Sequence, residues 1–412
     1  MILFFLTSGL FLGWSLGAND ASNVFGSAVG SKMVSFRRAA IIASIFVILG
    51  AVIQGAGGAQ TLGKLGAVNA IGGSFTLALA AGVTVYMMTK FSLPVSTTQA
   101  IVGAIIGWNL FTGNKTDPGT LSKIVATWIS GPVLGAIFAI LLFILLTRIK
   151  KAAKFHIIRF ESYIKSGLII VGAFGAYSLG ANNIANVMGV FVPAFNLHPL
   201  DLGPFTLSSA QQLFLLGGLA VAVGIITYSK KVMETIGTNI VELSPEAAMV
   251  VVLAQSLVLF VFSSSGLSDL FVRLGLPSIP MVPVSSSQVI VGCVIGIGLY
   301  KGIRNINFRL LGEIALGWLA TPVMSGLMTF FSLFFIKNIF GIDVGHKVAE
   351  GIQESWTITA VPDSSTSDMI RYILIGIVII CLVTGIVYYI IDRRKQLELK
   401  ASEEKFWKNM KK

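Results

Sequence analysis

The chain has 412 residues, of which 55% are hydrophobic and 12% charged, with a formal net charge of +12. Soluble domains carry about 25% charged residues, so a soluble globular protein is excluded; the apolar residues instead gather into runs close to the ~20 that span a bilayer. The basic excess falls in short loops and the tail rather than on one nucleic-acid-binding face, and Cys293 and Cys381 lie inside apolar stretches, which excludes a disulfide framework.

In chain order, hydropathy predicts eleven membrane segments, at 1–29, 39–59, 72–89, 95–112, 121–147, 166–190, 211–228, 246–264, 281–299, 310–336 and 369–392. The first has no basic residues ahead of its apolar run and reads as a permanent helix rather than a cleaved leader. The expected fold is an all-α polytopic membrane protein, with 44 glycines that suit close helix approach. When the loops are assigned alternately to the two sides, those at 30–38, 90–94, 148–165, 229–245 and 300–309 hold fifteen Lys and Arg, against six in the others. Basic loops face the cytoplasm. The N-terminus is therefore expected outside, and the tail, with eight further basic residues from Arg393 onward, inside a cell (inner or plasma) membrane.

The chain repeats itself. Trp14–Gly26 reads WSLGANDASNVFG and Tyr177–Gly189 reads YSLGANNIANVMG, identical at eight of thirteen positions. Pro94–Gly107 reads PVSTTQAIVGAIIG and Pro283–Gly296 reads PVSSSQVIVGCVIG, identical at nine of fourteen. Trp128 and Pro132 echo Trp318 and Pro322. The expected organisation is repeat 1 over 1–147, a basic amphipathic linker over 148–165, repeat 2 over 166–336, an external loop over 337–368, and a final helix with a basic tail over 369–412. Five segments in the first half start the second from the opposite side, which makes the repeats inverted, as in secondary transporters with a site near the midplane.

Four polar clusters stand out. Asn19, Asp20 and Asn23 are matched by Asn182, Asn183 and Asn186, and the spacing of four puts the outer amides on one helix face. Gly17 and Gly180 just before them are expected to break the helix and free carbonyls. Amides in membrane helices often serve as interhelical contacts, but two matched triplets point to a site. The other pair, Ser96-Thr97-Thr98-Gln99 and Ser285-Ser286-Ser287-Gln288, follows Pro94 and Pro283 and precedes Gly-spaced apolar runs. Hydroxyls there cap backbone N–H groups, and a helix N-terminus suits an anion; three hydroxyls and an amide exceed what capping needs. Gly103 with Gly107, and Gly292 with Gly296, read as packing pairs; Trp14, Trp108, Trp128 and Trp318 read as packing or interface residues.

Away from the segment ends, the clearly embedded ionisable residues are Asp20 and Glu313, the latter alternatively an interfacial residue near Arg309; no Lys or Arg is so embedded, and His156, His198 and His346 lie outside the apolar stretches. A buried anion would need compensating charge, which points to bound cations and favours Na⁺ over a histidine proton relay.

GANDASNVFG and LPVSTTQAIVGA, each present in two related copies, resemble the signatures of the inorganic phosphate transporter (PiT) family of Na⁺- or H⁺-coupled symporters, over nearly all of 1–336. The resemblance implies phosphate as substrate, cation symport, a homodimer, and paired helical hairpins in a domain that moves like an elevator. Carried over by position, it implies that Ser96, Thr97, Thr98, Gln99, Asn183, Ser285, Ser286, Ser287 and Gln288 bind phosphate. It likewise implies that Asn19, Asp20, Asn23, Asn182, Asn183 and Asn186 hold Na⁺, with no other cofactor. The chain departs from many relatives at Asn183, where they carry Asp, and at Gln99 and Gln288, where they carry His. Proton coupling or sulfate transport on the same fold are the near alternatives. A membrane enzyme is the distant one, since Gly13–Gly17 formally fits G-x-S-x-G but lacks the strand–turn–helix setting and a histidine partner. A passive channel would not need matched clusters from two halves.

Overall fold

The computed structural model describes residues 2–66, 68–90, 95–153, 157–195, 197–201, 206–239, 243–302 and 308–346. The expected final helix and tail, and most of the loop over 337–368, lie outside the described residues. The remainder is helical throughout, apart from a two-residue antiparallel pairing of β1 (Leu200–Asp201) with β2 (Thr206–Leu207). The first half contains α1 (Ile2–Gly30), α2 (Phe36–Gln54), α3 (Ala56–Leu65), α4 (Ile71–Lys90), α5 (Thr97–Thr112) and α6 (Pro118–Ala153). The second contains α7 (Ile157–Met188), which runs on as a 3₁₀ turn to Ala194, then α8 (Ser209–Asn239), α9 (Pro245–Ser263), α10 (Ser265–Arg273), α11 (Ser286–Tyr300) and α12 (Phe308–Phe340). Seven helices among the described residues are long and apolar enough to cross a membrane, and α11 is a shorter apolar helix. The chain is a multi-pass membrane protein.

Local signals explain several boundaries. The Ser96 hydroxyl accepts from Gln99 N at 3.2 Å to open α5, and Gly113 closes it in the left-handed region at φ 74°. Ser285 opens α11 in the same way, accepting from Gln288 N at 3.3 Å. Ser244 followed by Pro245 starts α9.

Three expectations are corrected. The second predicted segment, 39–59, divides at Gly55 into α2 and the short α3, and α10 was not foreseen. The linker 148–165 is not a separate element, because residues up to 153 complete α6 and those from 157 open α7. Third, Gly17 and Gly180 do not break their helices; α1 and α7 run unbroken through them. A Cβ at Gly17 would lie 2.0 Å from the Val221 carbonyl oxygen, and one at Gly180 2.1 Å from that of Val47. These glycines let two backbones touch.

The glycine contacts also give helix directions. Gly13, Gly17 and Gly26 of α1 meet Gly217, Val221 and Met233 of α8, so those helices run parallel. Gly50 of α2 and Gly55 just beyond it meet Tyr177 and Ile184 of α7, again parallel. By contrast Gly9 of α1 meets Met188 and Phe191, while Gly172 of α7 meets Phe25, so α1 and α7, which carry the matched motifs, run antiparallel. Gly103 and Gly107 of α5 lie on Pro322 and Gly326 of α12, and Gly292 and Gly296 of α11 on Pro132 and Ala136 of α6, both parallel. Each of these helices therefore packs most closely on one from the other half of the sequence, and the two halves are interleaved. α6 and α12 are the least buried membrane helices. Each turns an apolar ridge outward, with Ile129, Val133, Ile137 and Leu141 on one and Leu319, Val323, Leu327 and Phe331 on the other, all more than 45% exposed. Such a ridge suits an apolar surrounding.

Candidate functional site

The four polar clusters come together where α1 and α7 cross near the starts of α5 and α11. All fourteen predicted residues are buried: none of Asn19, Asp20, Asn23, Ser96, Thr97, Thr98, Gln99, Asn182, Asn183, Asn186, Ser285, Ser286, Ser287 and Gln288 exceeds 4% exposure. Asn19 lies eleven residues before α1 ends, about 16 Å at 1.5 Å per residue, so the cluster is deep in the bundle.

The hydrogen bonds repeat between the halves. Asn19 Nδ2 donates to the neighbouring Asp20 Oδ1 at 2.6 Å and to the Val95 carbonyl at 3.3 Å. Its counterpart Asn182 Nδ2 donates to Asn183 Oδ1 at 3.0 Å and to the Val284 carbonyl at 2.7 Å, while its own oxygen accepts from Val284 N at 3.1 Å. Each Asn thus ties its helix to the turn that precedes the Ser/Thr run of its own half. Other bonds cross between the halves. Ser286 Oγ donates to Asp20 Oδ2 at 2.8 Å and accepts from Asn23 Nδ2 at 3.4 Å. Asn186 Nδ2 donates to Thr98 Oγ1 at 2.9 Å, and Asn183 Nδ2 to Asp20 Oδ2 at 3.4 Å. Ser285 and Ser287 hydroxyls lie 3.2 Å apart.

The electrostatics are unusual for a buried site. Asp20 is its one carboxylate, and its partners are a hydroxyl and two amides, none with positive charge. Glu313, the other embedded acid expected from sequence, is exposed and pairs with Arg309 at 3.2 Å, so it belongs to the surface. Several buried atoms of the cluster have no partner: Thr97 Oγ1, Gln99 Oε1, Asn186 Oδ1 and Gln288 Oε1. Buried polar atoms are rarely left so, and a group of them at one place marks a spot that a ligand can satisfy. The N-termini of α5 and α11 add unpaired backbone N–H groups and the positive ends of two helix dipoles. Donors for an anion and oxygens for a cation therefore lie side by side.

The sequence reading missed Thr89, whose hydroxyl reaches Asn19 Oδ1 at 3.5 Å, and the carbonyls of Val95 and Val284. Thr89 was one hydroxyl in an apolar run without a repeated counterpart, and carbonyls leave no sequence mark. Thr61 of α3 further braces the second turn by donating to the Met281 carbonyl.

Comparison with known proteins identifies the family. A model of the phosphate transporter family matches residues 16–329. Relatives named putative phosphate permease occur in Thermococcus kodakarensis (26% identical, covering 82% of this chain and 98% of the relative) and Pyrococcus furiosus (26%, 80% and 94%). A third, from Haemophilus influenzae, is 26% identical over 81% of this chain and 96% of its own length. A solved structure described as the sodium-dependent phosphate transporter shares the fold, with a TM-score of 0.66 and 24% identity, covering 82% of this chain and 99% of that one. The family is one of transporters and not of enzymes, and its model covers the matched motifs of both halves except Trp14 and Ser15: the chain belongs to the phosphate transporter family.

Proposed function

We propose that the chain is a Na⁺-coupled phosphate symporter working by alternating access. The observation that carries this reading is the buried meeting of two Ser/Thr-capped helix N-termini with a single carboxylate and no cationic side chain. Phosphate would take hydrogen bonds from Ser96, Thr97, Thr98, Ser285, Ser286 and Ser287 and from the amides of Gln99, Gln288 and Asn183. In low dielectric an anion with only dipoles around it is costly, so bound cations complete the charge balance. Na⁺ favours oxygen ligands, as hard cations do, and Asp20 with the oxygens of Asn19, Asn23, Asn182, Asn183 and Asn186 supplies them. The unpartnered Asn186 Oδ1 supports this assignment.

Cations bind first, because they create the positive field that the anion requires. Phosphate then neutralises the assembly, and the loaded site crosses the membrane. With every side chain of the cluster at most 4% exposed, entry needs a rearrangement, which favours a carrier over a channel. The antiparallel crossing of α1 and α7, with their matched hydrogen bonds, supports two inverted repeats. The contacts of Thr89 and Val95 with Asn19, deep in α1, support a re-entrant hairpin made of α4 and α5. An elevator-like motion, a homodimer, an outside N-terminus and a cytoplasmic C-terminus complete the proposal.

The test is uptake of radiolabelled phosphate into proteoliposomes of purified protein under an inward Na⁺, K⁺ or H⁺ gradient, with sulfate as competitor. Uptake that requires Na⁺ and resists sulfate is the expected result. Uptake driven by H⁺ alone would move coupling to protonation of Asp20, and entry of sulfate in place of phosphate would replace the substrate.

A further inference from the structure

Four buried polar atoms lack partners in a pattern that the two halves share. Gln99 Oε1 and Gln288 Oε1 are acceptors; Trp318 Nε1 and Trp128 Nε1 are donors, and they are the only unpartnered buried side-chain N–H groups among the described residues. The helix registers bring each donor to the level of one acceptor. α5 and α12 run parallel with Gly103 against Pro322, and one turn back on each helix stand Gln99 and Trp318. α11 and α6 run parallel with Gly292 against Pro132, and one turn back stand Gln288 and Trp128. Residues four apart share a helix face, so each glutamine lies on the stripe that meets the stripe of its tryptophan. The environments also match, because residues 121–130 and 311–320 show the same succession of buried, half-buried and exposed positions.

Resting on the phosphate reading, we propose that Trp318 and Trp128 are positioning residues for the substrate site. These bonds are not made in the structure described, where both ends are unpartnered; with phosphate bound, each indole N–H donates to the side-chain carbonyl of Gln99 or Gln288 and so fixes which end of that amide faces the anion. A glutamine can present either its oxygen or its NH₂ group, and only the NH₂ group suits phosphate. An indole N–H donates and never accepts, so it pairs with the oxygen end alone. With that oxygen held on the α12 or α6 side, the NH₂ group turns toward the Ser/Thr runs. The tryptophans therefore act on phosphate affinity from outside the site, through the glutamines.

The test compares Trp318→Phe and Trp128→Phe, which keep an aromatic ring and remove the donor, in Na⁺-driven phosphate uptake. Loss of one such hydrogen bond is expected to raise the KM for phosphate about tenfold in each variant, with the maximal rate kept within about twofold. Trp318→Phe should add nothing to the raised KM of Gln99→Ala. In the wild-type protein, the nitrogen-15 indole resonances of both tryptophans should shift on phosphate titration, and that of Trp318 should cease to respond in Gln99→Ala. Unchanged KM in both Phe variants, or full additivity with Gln99→Ala, overturns the proposal. Indole resonances indifferent to phosphate overturn it even if a variant fails to fold. Wild-type protein that takes up no phosphate overturns the phosphate reading itself, and this assignment with it.

Discussion

Asp20→Asn separates charge from shape at the centre of the cluster. Asn is nearly isosteric, so an oxygen remains to accept from Ser286 Oγ, which lies 2.8 Å from the carboxylate in the wild-type protein. What disappears is the one negative charge that can hold a cation among neutral partners. Two unit charges about 4 Å apart attract by about 4 kcal/mol at an effective dielectric constant of about 20, which corresponds to roughly three orders of magnitude in cation affinity. The cost to the fold is smaller. The bonds from Ser286 and Asn19 change from charge-assisted to neutral, a loss of about 1 kcal/mol each, offset in part because a charge no longer has to be buried. The assay is Na⁺ titration of phosphate uptake in proteoliposomes, with thermal unfolding of the purified protein alongside. The variant should fold, melt within a few degrees of wild type, and show no saturating Na⁺ dependence. A wild-type Na⁺ response in folded Asp20→Asn would place the coupling cation elsewhere and refute the assignment.

Three further outcomes follow from the same geometry. Asn183→Asp adds a second carboxylate where the Asn183 amide now lies 3.4 Å from Asp20 Oδ2; two like charges there need a second cation, so uptake should require more Na⁺ with a steeper dependence, and an unchanged Na⁺ titration curve would count against it. Asn182→Ala strands the N–H of buried Val284 and leaves its carbonyl only the 3.5 Å bond from the Thr98 hydroxyl, whereas Asn19→Ala strands only the Val95 carbonyl; at about 1–3 kcal/mol per unsatisfied buried group, Asn182→Ala should lower the melting temperature more, and equal shifts would refute the comparison. Gly17→Ala forces a Cβ to within 2.0 Å of the Val221 carbonyl oxygen, while Gly312→Ala on α12 meets nothing within 4 Å; overpacking costs about 1–3 kcal/mol or more, so the first should lower the yield of folded protein and the second leave it unchanged.

The site was more legible in the sequence than the packing that builds it. An Asp and five Asn inside apolar runs, duplicated with their spacing, have few uses in lipid other than a site, and all of them do gather at one place. Their neighbours Gly17 and Gly180 were misread as helix breaks because a glycine serves equally to break a helix or to admit another backbone. What decides between the two is the Val221 carbonyl, some two hundred residues away. Gly103 and Gly292 were read correctly because a GxxxG pair in an apolar run has mainly the packing use. α3 escaped notice because its glycines and Lys64 resemble a loop, although it packs along α7 and braces the turn at Met281. Trp128 and Trp318 looked like ordinary packing residues; only the helix registers set them level with Gln288 and Gln99.

The interleaving of the halves constrains how the protein is made. α1 and α2 leave the ribosome early, but their close-packed glycine faces belong to α8 and α7. Gly17 meets Val221 only after 204 more residues are synthesised, about 10–40 s at 5–20 residues per second. Throughout that interval, and until Ser286 follows, Asp20 and Asn23 of α1 lack their hydroxyl partner from the second half, and the insertion machinery or lipid must shelter them. The first half is thus the stage of synthesis most exposed to misassembly. A chain cut between α6 and α7 should regain its fold only when both pieces are made together in one membrane.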